Sequence, residues 1–419
     1  MNQLRSVKGM HDVLPEETPR WHFLEDTFRH LVGLYGYREI RTPVLEPLEL
    51  FVRGIGEATD IVEKEMYAFE DKGGDRLALR PEGTASVIRA FIQHGLHAQE
   101  PVSKLYYIGP MFRRERPAKG RFRQFYQAGA ELIGAAEPAA DAEIIDMATR
   151  FLKALGIADV SVQLSSLGDR ESRMAYRGAL VEFLEKRREE LCGDCLRRLE
   201  VNPLRVLDCK IEACKAVASG APSVMDYLSG DAARHFADLR GALERFGTPY
   251  EVAPRMVRGL DYYTRTIFEI QGRSEALGAQ ATLVGGGRYD GLVSELGGPP
   301  TPTIGFAFGI ERLLMMLGKS AAPAPGRPVF VAGVGDGGVG RAHDIARSLR
   351  AAGCRTEVAY GTASLKSQLK RADRIGALGV VIAGEDEAAR GCVTWRDMRD
   401  GAQIELPLSE IVARVEAMR

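Results

Sequence analysis

The chain has no uninterrupted apolar run of about 18 residues, so no membrane-spanning helix is expected. Its opening, MNQLRSVKGMHDVLPEE, lacks an apolar stretch of the kind found in secretion signals, and none is expected. Cysteine is scarce: six in 419 residues do not make a disulfide framework, and a reducing cytosol is the expected setting. Charge of neither sign prevails. The formal net charge is −1, so any nucleic-acid contact must rest on local basic patches. There is no P-loop, no dinucleotide fingerprint and no internal repeat.

What is present is an ordinary globular composition, 45% hydrophobic and 27% charged, in a chain long enough for two or three domains. The clearest boundary is KSAAPAPGRP, residues 319–328, which reads as a linker. Beyond it, residues 329–419 alternate strand-like and helical segments, as in a small α/β domain with a mixed or parallel sheet. Before it, residues 1–318 carry widely spaced strands at 104–108, 125–133, 264–271 and 303–308. Helices are expected at 18–35, 85–94, 141–155 and 310–317. This pattern predicts an α+β domain on an antiparallel sheet flanked by helices. Between about 170 and 251 the chain turns helical and charged, which reads as a helical insertion.

The most informative run is RGLDYYTRTIFEI, residues 258–270. Arg258, Asp261, Tyr262 and Tyr263 cluster at the mouth of an alternating strand, with Ile267 opposite Phe268 and Ile270. Such a cluster suits a pocket for a small polar ligand; a strand with a solvated polar end is the competing reading. RRERPAKGRFR, residues 113–123, holds six cations and one acid between two strand-like runs. That is a long hairpin whose guanidinium groups can grip phosphate, although a solvated charged turn would look similar. Arg113 follows Met111 and Phe112, which places it at the sheet surface. Gln127 and Glu131 fall on one face of the returning strand.

Arg80-Pro81-Glu82-Gly83-Thr84 joins a strand to a helix. Glu82 there can bind an amino group, and Thr84 is expected as the helix N-cap. Gly285-Gly286-Gly287 reads as a tight turn that lets a ligand approach the backbone. Arg312 falls in the first turn of its helix, where a cation opposes the helix dipole at a cost of roughly a few tenths of a kcal/mol. An anionic ligand would relieve that cost; an exposed helix arginine is the alternative. Arg113, Arg258 and Arg312 come from separated segments and together suit an ATP site outside the P-loop class.

In order along the chain, GYREIRTPVLEPLELF, FRRERPAKGRFRQF and GFAFGIERLLMML resemble the three motifs of class II aminoacyl-tRNA synthetases. PEGT, QAGAELIG and RGLDYYTRTIFE resemble histidyl-tRNA synthetases in particular. The last domain is similar to that family's anticodon-binding domain. The resemblance implies a homodimeric, cytoplasmic ligase that activates L-histidine with ATP and Mg²⁺ to histidyl-adenylate and then esterifies tRNA(His). It implies that Arg113 and Arg258 hold the α-phosphate and serve catalysis, and that Arg312 holds the far phosphates. Arg121 and the glycine turn would line the pocket. Glu82, Thr84 and Gln127 would bind the amino and carboxylate ends of histidine, with Glu131, Tyr262 and Tyr263 around the imidazole. The region around Pro43 would belong to the dimer interface. Lys366, Lys370, Arg371 and Arg374 would meet the tRNA, against the competing reading of a solvated helix face.

Cys192, Cys195, Cys209 and Cys214 form C-x2-C-x13-C-x4-C within the insertion, a pattern that can hold structural Zn²⁺. The second pair is loosely spaced and the resemblance calls for no metal, so four unlinked thiols is the competing reading. Two other functions compete with the ligase. One is a histidine-binding regulatory paralogue without aminoacylation; such paralogues lack the anticodon domain and often the catalytic arginines, all of which this chain carries. The other is a non-catalytic nucleic-acid module, against which the near-zero charge and the many pocket-type residues speak.

Overall fold

The computed structural model describes residues 3–57, 59–272, 282–318 and 326–418. The chain divides into two compact units, Met1–Ala322 and Pro323–Arg419, and most of the linker expected at 319–328 lies outside the described residues.

In the first unit the strands are β1 (Arg38–Glu39), β2 (Leu45–Pro47), β3 (Tyr67–Glu70), β4 (Arg76–Leu79), β5 (Ser103–Phe112), β6 (Gln124–Ile133), β7 (Val160–Ser166), β8 (Glu251–Val252), β9 (Thr264–Gly272), β10 (Thr282–Arg288) and β11 (Thr303–Gly309). Eight of them form one sheet in the order β1-β5-β6-β11-β10-β9-β7-β8. The inner neighbours pair antiparallel, and only the edge pairs β1/β5 and β7/β8 are parallel. The α+β class on an antiparallel sheet, expected from the sequence, is what the first unit adopts. β2, β4 and β3 form a small separate sheet.

The pleat divides the sheet into two chemistries. On one face Ala128, Ala130, Leu132, Phe268, Ile270, Phe306 and Phe308 pack under the helices Thr18–Leu34, Pro138–Ala154 and Gly230–Phe246. Phe28 stands edge-on to Phe308 at 5.1 Å and to Phe151 at 5.2 Å. Burying one such ring contributes about 2–3 kcal/mol. On the other face Tyr107, Met111, Ile133, Tyr263 and Ile267 meet the helix Thr84–Gln93. The opposition of Ile267 to Phe268 and Ile270 follows from this alternation.

Three expectations need correction. The helix Gly230–Phe246, capped by Ser229 and closed by left-handed Gly247, is not part of the insertion: its stripe of Phe236, Leu239 and Leu243 joins the main core. The insertion's own core is smaller, built from Tyr176, Leu180, Leu184, Leu199, Val206 and Val217. Gly285–Gly287 is no turn but the middle of β10, hydrogen-bonded to β9 and β11 on both sides. Backbone ladders on two flanks hold these glycines extended against their own preference. Thr84 does not cap its helix. The Glu82 carboxylate accepts the backbone N–H groups of Thr84 (2.7 Å) and Ala85 (2.9 Å), so Glu82 does that work.

The second unit holds β12 (Val329–Gly333), β13 (Thr356–Val358), β14 (Gly379–Ala383), β15 (Cys392–Asp397) and β16 (Gln403–Pro407), in the order β13-β12-β14-β15-β16. The first three run parallel and the last two antiparallel, giving the expected mixed sheet. Helices cover both faces over two apolar clusters.

Candidate active site

A cavity of about 370 Å³ opens over the second face of the large sheet. Glu82, Thr84, Arg113, Arg121, Gln127, Arg258, Tyr262, Tyr263 and Arg312 all line it, although they come from segments up to 230 residues apart (82 to 312). Glu131, 1% exposed, is not itself a lining residue but lies directly behind Thr84 and Tyr289, which are. Asp261 is not among the lining residues; its carboxyl lies against Gly56.

The floor is built from three elements. The turn Pro81–Gly83 feeds the helix Thr84–Gln93, and its tight geometry sends Glu82 inward, where it is 2% exposed. Gln127 on β6 accepts the Gly83 N–H through Oε1 at 3.1 Å and the Tyr107 hydroxyl at 3.3 Å. Two pleats further along β6, Glu131 accepts the Thr84 hydroxyl at 2.8 Å and the hydroxyl of Tyr289. Gly305 on the neighbouring strand leaves room for this arrangement, since any side chain there would overlap the Glu131 carboxyl and the Tyr289 hydroxyl. Burial, with some repulsion from Glu82, holds the Glu131 carboxyl well above the usual range. Burial raises Glu82 too, against the pull of its two backbone donors. Tyr262, Tyr263 and Tyr289 wall the floor, with ring centroids 4.8 to 6.2 Å apart.

The rim is cationic. Arg113 leaves the end of β5, donates through Nε to the Pro81 carbonyl at 2.9 Å and lies over the Phe125 ring. Arg258 pairs with Glu269 of β9 and faces the Tyr263 ring at 5.8 Å. Burial works against the charge of Arg258, but Tyr263 and Glu269 outweigh it and its pKa is raised. Arg312 donates to the carbonyls of Gly120 (3.3 Å) and Thr282 (3.1 Å). Burial, reinforced by Arg121, pushes its pKa down. A guanidinium that is desolvated beside other cations gains most when an anion arrives. Arg121 meets Glu115 at 3.3 Å.

Several residues of the site escaped the sequence reading. Glu269 sits on the Ile267 face of β9, so its period of two was a usable signal. Tyr289 stands two residues after the last of the three glycines. Glu311 gave no signal: its carboxylate accepts the Tyr126 N–H at 2.9 and 3.1 Å, and burial pushes its pKa up to about 7. Behind the sheet, buried Asp141 binds Arg288 (2.9 Å to Nε), His235 (2.9 Å) and Thr266, fixing β9 and β10 to the helix Pro138–Ala154. Burial alone would raise Asp141, but His235 and Arg288 hold it below the usual range. Arg80 faces away from the cavity and ties Thr42 (2.9 Å) to Pro110 (2.9 Å).

An acid-and-tyrosine floor under an arginine rim suits a small cationic or hydrogen-bonding ligand joined to a polyphosphate. Residues 9–313 match the family model of histidyl-tRNA synthetase, and residues 329–418 match that of an anticodon binding domain. The histidine–tRNA ligase of Geobacter sulfurreducens is 48% identical, over 98% of this chain and 100% of its own. That of Halorhodospira halophila is 50% identical, over 99% of this chain and 98% of its own. The crystal structure of apo histidyl-tRNA synthetase from S. aureus superposes with a TM-score of 0.84 at 34% identity, covering 99% of this chain and 100% of that one. With catalytic and anticodon regions matched in turn and near-half identity from end to end, this chain belongs to the histidyl-tRNA synthetase family.

Proposed function

We propose that the cavity activates L-histidine with ATP and then transfers it to the terminal adenosine of tRNA(His). One observation carries this reading: a buried carboxyl, Glu131, is bonded to Thr84 and Tyr289 in the wall of the cavity that Arg113, Arg258 and Arg312 also line. The Glu131 carboxyl and the Tyr263 hydroxyl would bond the two ring nitrogens of histidine, with Tyr262 packed beside them. Glu82, Thr84 and Gln127 would take the amino and carboxylate ends. Groups that read both nitrogens reject analogues lacking them, because buried polar atoms would then go unpaired.

In the first step a histidine carboxylate oxygen bonds to the α-phosphorus while the bond to the bridging oxygen breaks and pyrophosphate leaves. Arg113 and Arg258 would sit against the α-phosphate as charge builds, and Arg312 against the far phosphates, with Arg121 lining the same end. In the second step a ribose hydroxyl bonds to the histidyl carbonyl carbon, its proton is released and AMP leaves. The cavity's acids are already engaged, Glu269 by Arg258, Glu115 by Arg121 and Glu311 by a backbone N–H. Mg²⁺ would therefore be held chiefly by the triphosphate, in a cavity that Glu269 and Glu115 also line, and when bound would offset phosphate charge.

The second unit would bind the anticodon arm. Lys366, Lys370 and Arg374 recur along one exposed stripe of the helix Leu365–Arg374, with Arg371 beside it, paired with Glu357 at 3.7 Å. A homodimer would form through the region of Pro43, where Leu45 and Phe69 of the small sheet stand exposed. No helix among the described residues is long and apolar enough to cross a membrane, and we place the enzyme in the cytoplasm.

The test is histidine-dependent exchange of labelled pyrophosphate into ATP without tRNA, followed by charging of tRNA(His). Exchange with histidine alone among amino acids, lost in Arg258→Ala, is expected. Folded protein that exchanges nothing would overturn the ligase in favour of a histidine-binding regulator.

A further inference from the structure

The four cysteines of the insertion, all between residues 192 and 214, come from three separate elements and meet in space. Cys192 precedes the helix Gly193–Val201 and Cys195 lies in its first turn. Cys209 ends the turn Pro203–Asp208, and Cys214 lies in the helix Glu212–Ser219. All four Sγ atoms fall within 4.8 Å of one another, and Cys192 Sγ is 4.0 Å from Cys209 Sγ. None of the four is in a disulfide. A disulfide would bring one pair to about 2.05 Å and leave the others apart. A tetrahedral zinc with bonds of about 2.3 Å needs sulfur–sulfur edges of about 3.8 Å, which this cluster reaches by drawing in by at most about 1 Å.

The surroundings suit an anionic tetrathiolate. The backbone N–H of Cys192 donates to Cys214 Sγ at 3.3 Å, and the Arg198 guanidinium stands beside Cys195. Such donors offset the surplus negative charge of four thiolates on one dication. Four sulfurs without an oxygen or nitrogen ligand select zinc over the hard cations. The insertion also needs a staple, because its apolar core is small for the chain it organises.

We infer that Cys192, Cys195, Cys209 and Cys214 hold one structural Zn²⁺ that fixes the insertion against the active-site loops. The fixed segment reaches the site at two places. Arg197 and Arg198 bond Glu63 (2.7 and 2.8 Å) and Asp60 (2.9 Å), on either side of the cavity residue Ile61. Buried Arg205, in the segment between the two cysteine pairs, lies under Gly259 and beside Asp261 in the loop that carries Arg258 and Tyr263.

The experiment is metal analysis of full-length protein purified without chelator and supplied with zinc. One zinc per chain is expected. A cobalt-exchanged sample should show thiolate-to-cobalt charge transfer with the visible bands of a tetrahedral site. Cys209→Ser should lose the metal and show faster hydrogen exchange at 196–209 and 258–261, whereas Cys354→Ser, in the other unit, should keep it. If Cys209→Ser fails to fold, the metal content and cobalt spectrum of the wild-type protein still decide. Substoichiometric zinc with all six thiols freely titratable, iron in place of zinc, or a disulfide between any two of the four would each overturn the inference.

Discussion

The guanidinium of Arg258 fills the space in which a side chain at Gly285 would stand. The strand thus gives up a side chain so that a cation can lie flat on its backbone, next to Glu269. Gly285→Ala should therefore displace Arg258 while leaving the sheet intact. Pyrophosphate exchange is expected to fall by roughly 10²–10³-fold, as for loss of one preorganised electrostatic donor, with the melting temperature nearly unchanged. A folded variant with the wild-type exchange rate would show that Arg258 does not act from this position.

Glu131 should decide histidine affinity rather than ATP affinity. Glu131→Gln keeps the volume and an acceptor for Thr84 but loses the carboxylate. We expect the KM for histidine to rise about 100-fold and that for ATP to move little. Equal changes in both would assign Glu131 to scaffolding of the floor.

Glu311 sets a pH dependence of stability. Its folded pKa is about 7, above the usual value of about 4.3 for the unfolded chain. Between those values the folded protein holds the extra proton, so stability falls as pH rises through this window and levels off above it. The full effect is on the order of 3 kcal/mol. Glu311→Gln should flatten this slope in urea unfolding series taken from pH 5 to 8; an unchanged slope would refute the assignment.

Asp141 carries the network behind the sheet. Asp141→Ala leaves Arg288 buried without its carboxylate, and a loss of about 3–5 kcal/mol is expected from chemical unfolding. Asp141→Asn keeps hydrogen-bond acceptors and should lose less. A loss below about 1 kcal/mol for the alanine variant would mean that the bonds from Arg288 to the Ala135 carbonyl and to Asp290 suffice.

Much of this was legible in the sequence, for identifiable reasons. β5, β6, β9 and β11 announce themselves because one apolar face is buried and the period of two is strong. Arg113, Gln127 and Tyr263 follow from that register. β10 was misread because three glycines carry turn chemistry in isolation, and only the ladders on both sides override it. β7 was missed since VSVQLSS is short and half polar, and its partner β9 lies about 100 residues away. The insertion was drawn too long because an apolar helical stripe shows that a helix is buried, not which core it joins.

The glycines at the cavity have a consequence for substrate engineering. With Gly285 and Gly305 already bare, the floor cannot be deepened by trimming these strands. Space for a bulkier amino acid would have to come from Tyr262, Tyr263 or Tyr289, each buried in the packing under the site, and cutting one back costs about 3–5 kcal/mol. Attempts to load larger histidine analogues will therefore fare better by reshaping the open arginine rim than by hollowing out the floor.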